Sequence, residues 1–226
     1  ICALSDMIHD RKARYGFVFD RQTGEAKPYD KALEVLAVSS DPKAKKNNNK
    51  TTQELLFRMV GKKWNKEEYI LSYNPKNKVK YDIGLNLLVG DKWPTKSWPI
   101  ENWNKLEELL SKKGYKVTRQ DRPNLDITKN LYNYMDWLNS CRTIISNDSL
   151  GLHLGIAFKK NVFGLFGPTP HKEIHFYGRG KAILPRPILD CMPCFKGICK
   201  RKKNCMGYIL PEKVYENIKN QLIKNV

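Results

Sequence analysis

The stretch RTIISNDSLGLHLGIAFKKNVFGLFGPTP, Arg142 to Pro170, decides the fold. Its flanking runs, RTIISN and NVFGLFG, are short and mostly apolar, as strands buried on both faces are. The piece between them, LGLHLGIAFKK, reads as a helix. Polar residues, Ser146 to Ser149, fall where the first strand ends and the helix begins.

The same alternation extends outward. YDIGLNLLVG, from Tyr81 to Gly90, reads as a strand. ENWNKLEELLSKKG reads as an amphipathic helix, with Trp103, Leu106, Leu109 and Leu110 on one face and Gly114 as its C-cap. YKVTRQ is a strand, NLYNYMDWLNSC a helix, and the terminal PEKVYENIKNQLIKN a helix with Val214, Ile218 and Leu222 four apart. Strands alternating with helices predict an α/β fold with a parallel sheet covered on its faces. Before about Asn77 the pattern is irregular. RYGFVFD predicts a short strand, RQTGEAKPYD a turn-rich link, and DPKAKKNNNK a polar loop. TTQELLFRMVG predicts a helix opened by a Thr51/Glu54 capping box and closed by Gly61. YNPKNKVK, Tyr73 to Lys80, predicts a linker, and no internal repeat is visible.

The chain has 226 residues, 41% of them hydrophobic, with 41 Lys and Arg against 23 Asp and Glu for a net charge of +18. Such a balance favours anionic partners: nucleic acid, lipid headgroups or phosphorylated substrates. The lysines are scattered among many Asn and Ile, a pattern that compositional bias also produces. No zinc-finger, RNP or helix-turn-helix signature supports nucleic acid. No apolar run reaches the roughly 18 residues of a membrane-spanning helix. A P-loop, a GxGxxG and a Gly-x-Ser-x-Gly elbow are all absent from the sequence, against an ATPase, a dinucleotide dehydrogenase and an α/β-hydrolase.

Ligands of open parallel sheets bind at the carboxyl ends of the strands. Three polar clusters fall at such ends: GDKWPTKSWP (Gly90 to Pro99), SNDS (Ser146 to Ser149) and GPTP (Gly167 to Pro170). Asp148 and Ser149 stand at a helix N-terminus, where free N–H groups and the dipole favour an anion; either residue could instead cap the helix. His153, one turn further in, either faces the rim or packs structurally. Lys92 and Lys96, between Trp93 and Trp98, would neutralise a diphosphate or stay solvated beside packed indoles. Thr169 would bond a phosphate or sugar hydroxyl, or Gly167 to Pro170 is an ordinary turn.

Three stretches together resemble glycosyltransferase family 9, the ADP-heptose:lipopolysaccharide heptosyltransferases and their relatives. They are GLNLLVGDKWPTKSWPIENWNKLEELL, SNDSLGLHLGIAFKKNVFGLFGPTP and LDCMPCFKGICKRKKNCMGYILPEKVYENI. The resemblance is close from about Tyr81 onward and weaker before it. It implies a GT-B fold: residues 1–77 would be the tail of an N-terminal Rossmann-like acceptor domain and its linker. Residues 78–226 would be a complete C-terminal Rossmann-like donor domain. It implies inverting, metal-independent transfer of a heptose-like sugar from an ADP-heptose-like donor to a lipopolysaccharide-core or other glycolipid acceptor. No cofactor, no nucleic acid partner, and a cytoplasmic location peripheral to the anionic inner membrane go with that.

Position by position, Lys96 resembles the family lysine at the donor diphosphate. Asp148, Ser149 and His153 resemble its donor-site cluster, and Gly167, Pro168 and Thr169 its GPT loop. Lys92 and Gly151 belong to the same segments. Many members place Gly directly after the Asp-Ser/Thr pair, whereas here Leu150 intervenes before Gly151. The family's catalytic base is an Asp in an N-terminal Gly-Asp segment. Asp6 and Asp10 sit in the wrong context for it, so the resemblance implies a base upstream of Ile1. The donor's base-reading pocket is expected around Arg119 to Arg122.

Four of the six cysteines, Cys191, Cys194, Cys199 and Cys205, have the spacing C-x2-C-x4-C-x5-C. Four thiolates could ligate zinc or an iron–sulfur cluster; free thiols, a disulfide or local packing are the alternatives. The basic run KGICKRKKNC among them would meet anionic lipid or saccharide phosphates, or stay solvated. A rival reading follows from these features alone: a non-catalytic basic protein that holds nucleic acid or membrane with a Cys-ligated metal.

Overall fold

The computed structural model describes residues 15–121 and 130–223; Asp6, Asp10 and Arg122 lie outside the described residues. The chain divides into two compact units, Ile1–Glu67 with Lys172–His175, and Glu68–His171 with Phe176–Val226.

In the first unit, β1 (Phe17–Phe19) and β2 (Ala26–Pro28) pair antiparallel. The Asp20 carboxylate closes their turn by accepting the N–H groups of Gln22 and Thr23. The segment expected as a link thus carries a strand, because the Asp20 turn returns it onto β1. α1 (Leu33–Ser40) and α2 (Pro42–Asn47) follow. The expected polar loop is helical over α2 because Asp41 caps it, accepting from Lys43 N–H at 2.8 Å, and Pro42 fills its first position. α3 (Thr52–Met59) opens with the expected capping box: Thr51 N–H donates to Glu54 at 2.7 Å, and Glu54 N–H returns to Thr51 Oγ1 at 3.2 Å.

The second unit is a five-stranded, all-parallel sheet. Its strands are β3 (Tyr81–Asn86), β4 (Val117–Arg119), β5 (Cys141–Asn147), β6 (Asn161–Leu165) and β7 (Gly180–Ile183). They lie in the order β4-β3-β5-β6-β7. One face carries α4 (Ile100–Lys112) and α7 (Pro211–Ile223). Ile83, Leu85, Ile145 and Phe163 meet Trp98, Trp103, Leu106, Leu110, Val214, Ile218 and Leu222 there, all buried. The other face carries α5 (Leu131–Asn139) and α6 (Leu150–Ala157), covering Ile144 and Val162. Consecutive residues such as Ile144 and Ile145 are both buried because both faces are covered, which is why these strands read as continuous apolar runs.

Two elements of this second unit also depart from expectation. β3 stops at Asn86 instead of running to Gly90, because its neighbour β4 ends at Arg119. Leu88 N–H then bonds the Gln120 side chain at 2.8 Å instead of a strand. β7 had no strand signal in its own sequence, GKAI; it is strand because β6 presents a free edge to pair with.

Candidate functional site

The chain leaves β3 for the outer strand β4, then crosses back past β3 to form β5. The connections after β3 and β5 therefore run to opposite sides, and the crevice between these two carboxyl ends is the topological switch point where ligands bind. The polar rim of the opening stretch sits here.

Asn147, the last residue of β5, ties the two lips together. Its fully buried side chain donates to the Leu87 carbonyl at 2.6 Å and accepts from Trp98 N–H at 3.3 Å. Trp98 is itself anchored, donating its indole N–H to the Ile209 carbonyl at 2.9 Å. The loop between them, including a 3-10 turn at Pro94–Lys96, is thereby pinned against β5. Lys96 Nζ lies 2.9 Å from Asp148 Oδ2, with the two side chains only 19% and 13% exposed.

His153, inside α6, is close enough to feel both charges. Burial lowers its pKa below the ordinary imidazole value, Asp148 opposes this and Lys96 adds to it. The neutral ring is therefore the favoured form in the folded protein. Between the unfolded value, about 6.5, and the lower folded value, the unfolded chain binds more protons, so stability falls as the pH drops. His153→Gln is expected to lose this dependence. Its Tm relative to wild type should be constant above about pH 7 and improve towards about pH 5; parallel curves over that range would contradict it.

Ser149 occupies the N-cap position of α6, yet no side chain caps this helix. The capping alternative is therefore not taken: Asp148 pairs with Lys96, and Ser149 Oγ accepts from Asn86 at 2.9 Å. Leu150, the first helical residue, is 55% exposed. Gly151 supplies close approach, since a Cβ there would lie 2.2 Å from Tyr134 Oη and 2.6 Å from the Asn86 side chain.

The GPT loop follows β6. Gly167 lets Cys205 and Met206 pack beneath it: a Cβ would meet their sulfurs at 2.5 and 2.8 Å. The Pro168 carbonyl accepts from Phe195 N–H at 2.9 Å, and Thr169 Oγ1 is buried without a partner among the described residues. The Cys-rich segment also reaches the other lip, where Thr95 Oγ1 donates to the Lys196 carbonyl at 2.6 Å. Lys92 lies on the same loop as Lys96. It lines an open pocket of about 540 Å³ with Asp91, Pro94, Lys196, Gly197 and Ile198.

Cys191, Cys194, Cys199 and Cys205 are free thiols, and no group of three metal-ligating side chains converges among the described residues. Burial, with Cys194 next, pushes the Cys205 thiol up to about 11. Arg119 is not available to read a nucleotide base. Its guanidinium is spent on Asp121 at 2.7 Å, Glu107 at 2.9 Å and Asn104 at 2.7 Å. Asn86, Tyr134 and Asn147 carry no signal in the sequence, because their roles depend on partners up to 63 residues away. No described helix is long and apolar enough to cross a membrane.

Residues 125–204 match the model for glycosyltransferase family 9 (heptosyltransferase). Over 128 residues the chain is 34% identical to lipooligosaccharide heptosyltransferase 2 of Campylobacter jejuni subsp. jejuni serotype O:2, covering 54% of this chain and 39% of that protein. Over 98 residues it is 29% identical to the protein of the same name from Haemophilus influenzae, covering 34% and 28%. The chain thus spans well under half the length of these curated relatives. Among solved structures, the dodecameric iron-containing glycosyltransferase TibC of enterotoxigenic E. coli superposes with a TM-score of 0.58 at 14% identity, covering 77% of this chain and 54% of that one. At that identity the likeness is one of fold, the GT-B fold of glycosyltransferases. Over the part that the family and sequence matches cover, this chain is similar to glycosyltransferase family 9, the heptosyltransferases.

Proposed function

We propose that the second unit binds a nucleotide-sugar donor, of the ADP-heptose type, as part of a glycosyltransferase acting on a lipopolysaccharide-core or other glycolipid acceptor. The observation that carries this reading is the Lys96–Asp148 pair, held at the switch point beside the uncapped start of α6. A diphosphate there meets one fixed cation and the free N–H groups of a helix end. Glycosyl transfer with inversion leaves negative charge on the departing nucleoside diphosphate. Lys96 and the α6 amides meet that charge as it develops, so in this reading transfer is metal-independent. Asp148 holds Lys96 in place, and neutral His153 is a hydrogen-bonding group that adds no charge of its own. The curated relatives' names, and a TibC structure described as a complex with ADP-D-beta-D-heptose, support the choice of donor.

We also place the protein at the cytoplasmic face of an anionic inner membrane. Support comes from the exposed run of Lys196, Lys200, Arg201, Lys202 and Lys203 around Ile198, which is 80% exposed. Basic side chains beside a protruding apolar one suit an anionic interface.

Calorimetric titration with ADP and ADP-heptose tests the donor reading, and sedimentation with phosphatidylglycerol vesicles tests the membrane one. Saturable ADP binding at one site, together with salt-sensitive vesicle binding, is expected. Salt-sensitive capture of nucleic acid with no response to ADP would sink the donor reading.

A further inference from the structure

One buried polar network links β3, β5, α5 and the start of α6. Asn86, at the end of β3, is fully buried. Its amide nitrogen donates to Ser146 Oγ at 2.8 Å and Ser149 Oγ at 2.9 Å. Its amide oxygen accepts from the Tyr134 hydroxyl at 2.5 Å. Ser146 Oγ donates in turn to the Asn147 carbonyl at 2.6 Å.

The proton positions in this network follow by elimination. A serine hydroxyl has one proton to give. Ser146 gives its proton to a carbonyl, which can only accept. Towards Asn86, Ser146 must therefore accept, so the amide nitrogen faces it and the amide oxygen faces Tyr134. The phenol then has to donate, and burial keeps it protonated by raising its pKa. The two hydrogens of the Asn86 amide go to Ser146 and Ser149. Ser149 is thus also an acceptor, and its own proton finds no acceptor among the described residues.

Ser149 does not play the usual N-cap role. A capping serine lends its oxygen to a helix N–H. Here that oxygen is engaged by Asn86, and α6 has no side-chain cap. Every other polar hydrogen of the network is used, so the Ser149 proton is the one left to offer, beside Asp148 at the switch point.

We infer that Tyr134 and Asn86 are positioning residues that hold the Ser149 side chain off the helix N–H groups and orient its free hydroxyl proton towards the diphosphate of the bound donor. The inference rests on the donor-binding reading above. No proton is transferred and no bond is made or broken; the network only fixes which way each hydroxyl points. The missing side chain at Gly151 belongs to the same arrangement, because a Cβ there would drive Tyr134 and Asn86 apart from the helix.

The test is a double-mutant cycle read as ADP affinity by calorimetry on the full chain, with the Tm of each variant measured alongside. Ser149→Ala is expected to weaken ADP about tenfold, as loss of a hydrogen bond to a charged group does. Tyr134→Phe keeps the ring stacked on Trp137 and removes only the donor to Asn86. It is expected to weaken ADP about threefold in the wild type and not at all in the Ser149→Ala background. Ser149→Thr, which keeps a hydroxyl, should bind nearly as wild type does. Equal effects of Tyr134→Phe in both backgrounds would show ordinary structural damage and overturn the inference. Wild-type affinity in Ser149→Ala would overturn it as well, even if Tyr134→Phe failed to fold. Absence of ADP binding by the wild type itself would instead remove the donor reading, and this inference with it.

Discussion

Lys96→Ala is expected to weaken ADP binding by about ten- to a hundredfold, the usual cost of losing a charge-assisted hydrogen bond in a shielded site. The lysine is mostly shielded, and its ammonium is fixed by Asp148 at 2.9 Å, so little ordering is left for the ligand to impose. Asp148→Asn should cost less, because the cation stays and only its anchor weakens. The comparison matters because a carboxylate by itself repels a diphosphate. If Asp148 served the ligand only through Lys96, Asp148→Ala in a Lys96→Ala background would add no further loss. Lys96→Ala also strands a shielded carboxylate, so a stability loss of about 1–2 kcal/mol should accompany it. Wild-type ADP affinity in Lys96→Ala would remove this residue from the site.

Trp98→Ala should be the most destabilising single change at the rim, at about 3–5 kcal/mol by urea denaturation. The indole is 2% exposed and packs edge-on against Trp103, with ring centroids 4.8 Å apart. Its N–H donates to the buried Ile209 carbonyl at 2.9 Å, which the variant would leave with only the longer 3.4 Å bond from Asn102. Trp98→Phe keeps most of the packing and loses that bond, so about 1–2 kcal/mol is expected. Since Lys96 lies two residues upstream, Trp98→Ala should also weaken ADP at temperatures where it remains folded. A loss below about 1 kcal/mol would mean that the loop is not anchored through this indole.

Both results would trace a site assembled from segments far apart in sequence. The alternation from Tyr81 onward was readable because strands buried on both faces must be apolar throughout, and because α4 and α7 each bury one stripe. Trp103, Leu106 and Leu110, and likewise Val214, Ile218 and Leu222, are buried as their spacing required. The Thr51/Glu54 box was legible for the same local reason, since a cap needs partners only three residues apart. The Ser149 position was also visible as a helix start, but its chemistry was not. A serine there reads as a cap until Asn86, 63 residues earlier, is seen to engage its oxygen.

By itself the sequence determined the alternation of strands and helices, the three polar strand ends, and the family resemblance carried by their motifs. Periodicity and motif spacing are properties of neighbouring residues, and neighbours are what a sequence records. Tertiary structure alone decided that β3 and β5 lie side by side, so that Lys96 meets Asp148. It also made a strand of Gly180–Ile183 by offering it an open edge, and committed Arg119 to carboxylates instead of a ligand. Those outcomes depend on which groups are brought within hydrogen-bonding distance and shielded from water, and only the folded chain sets that.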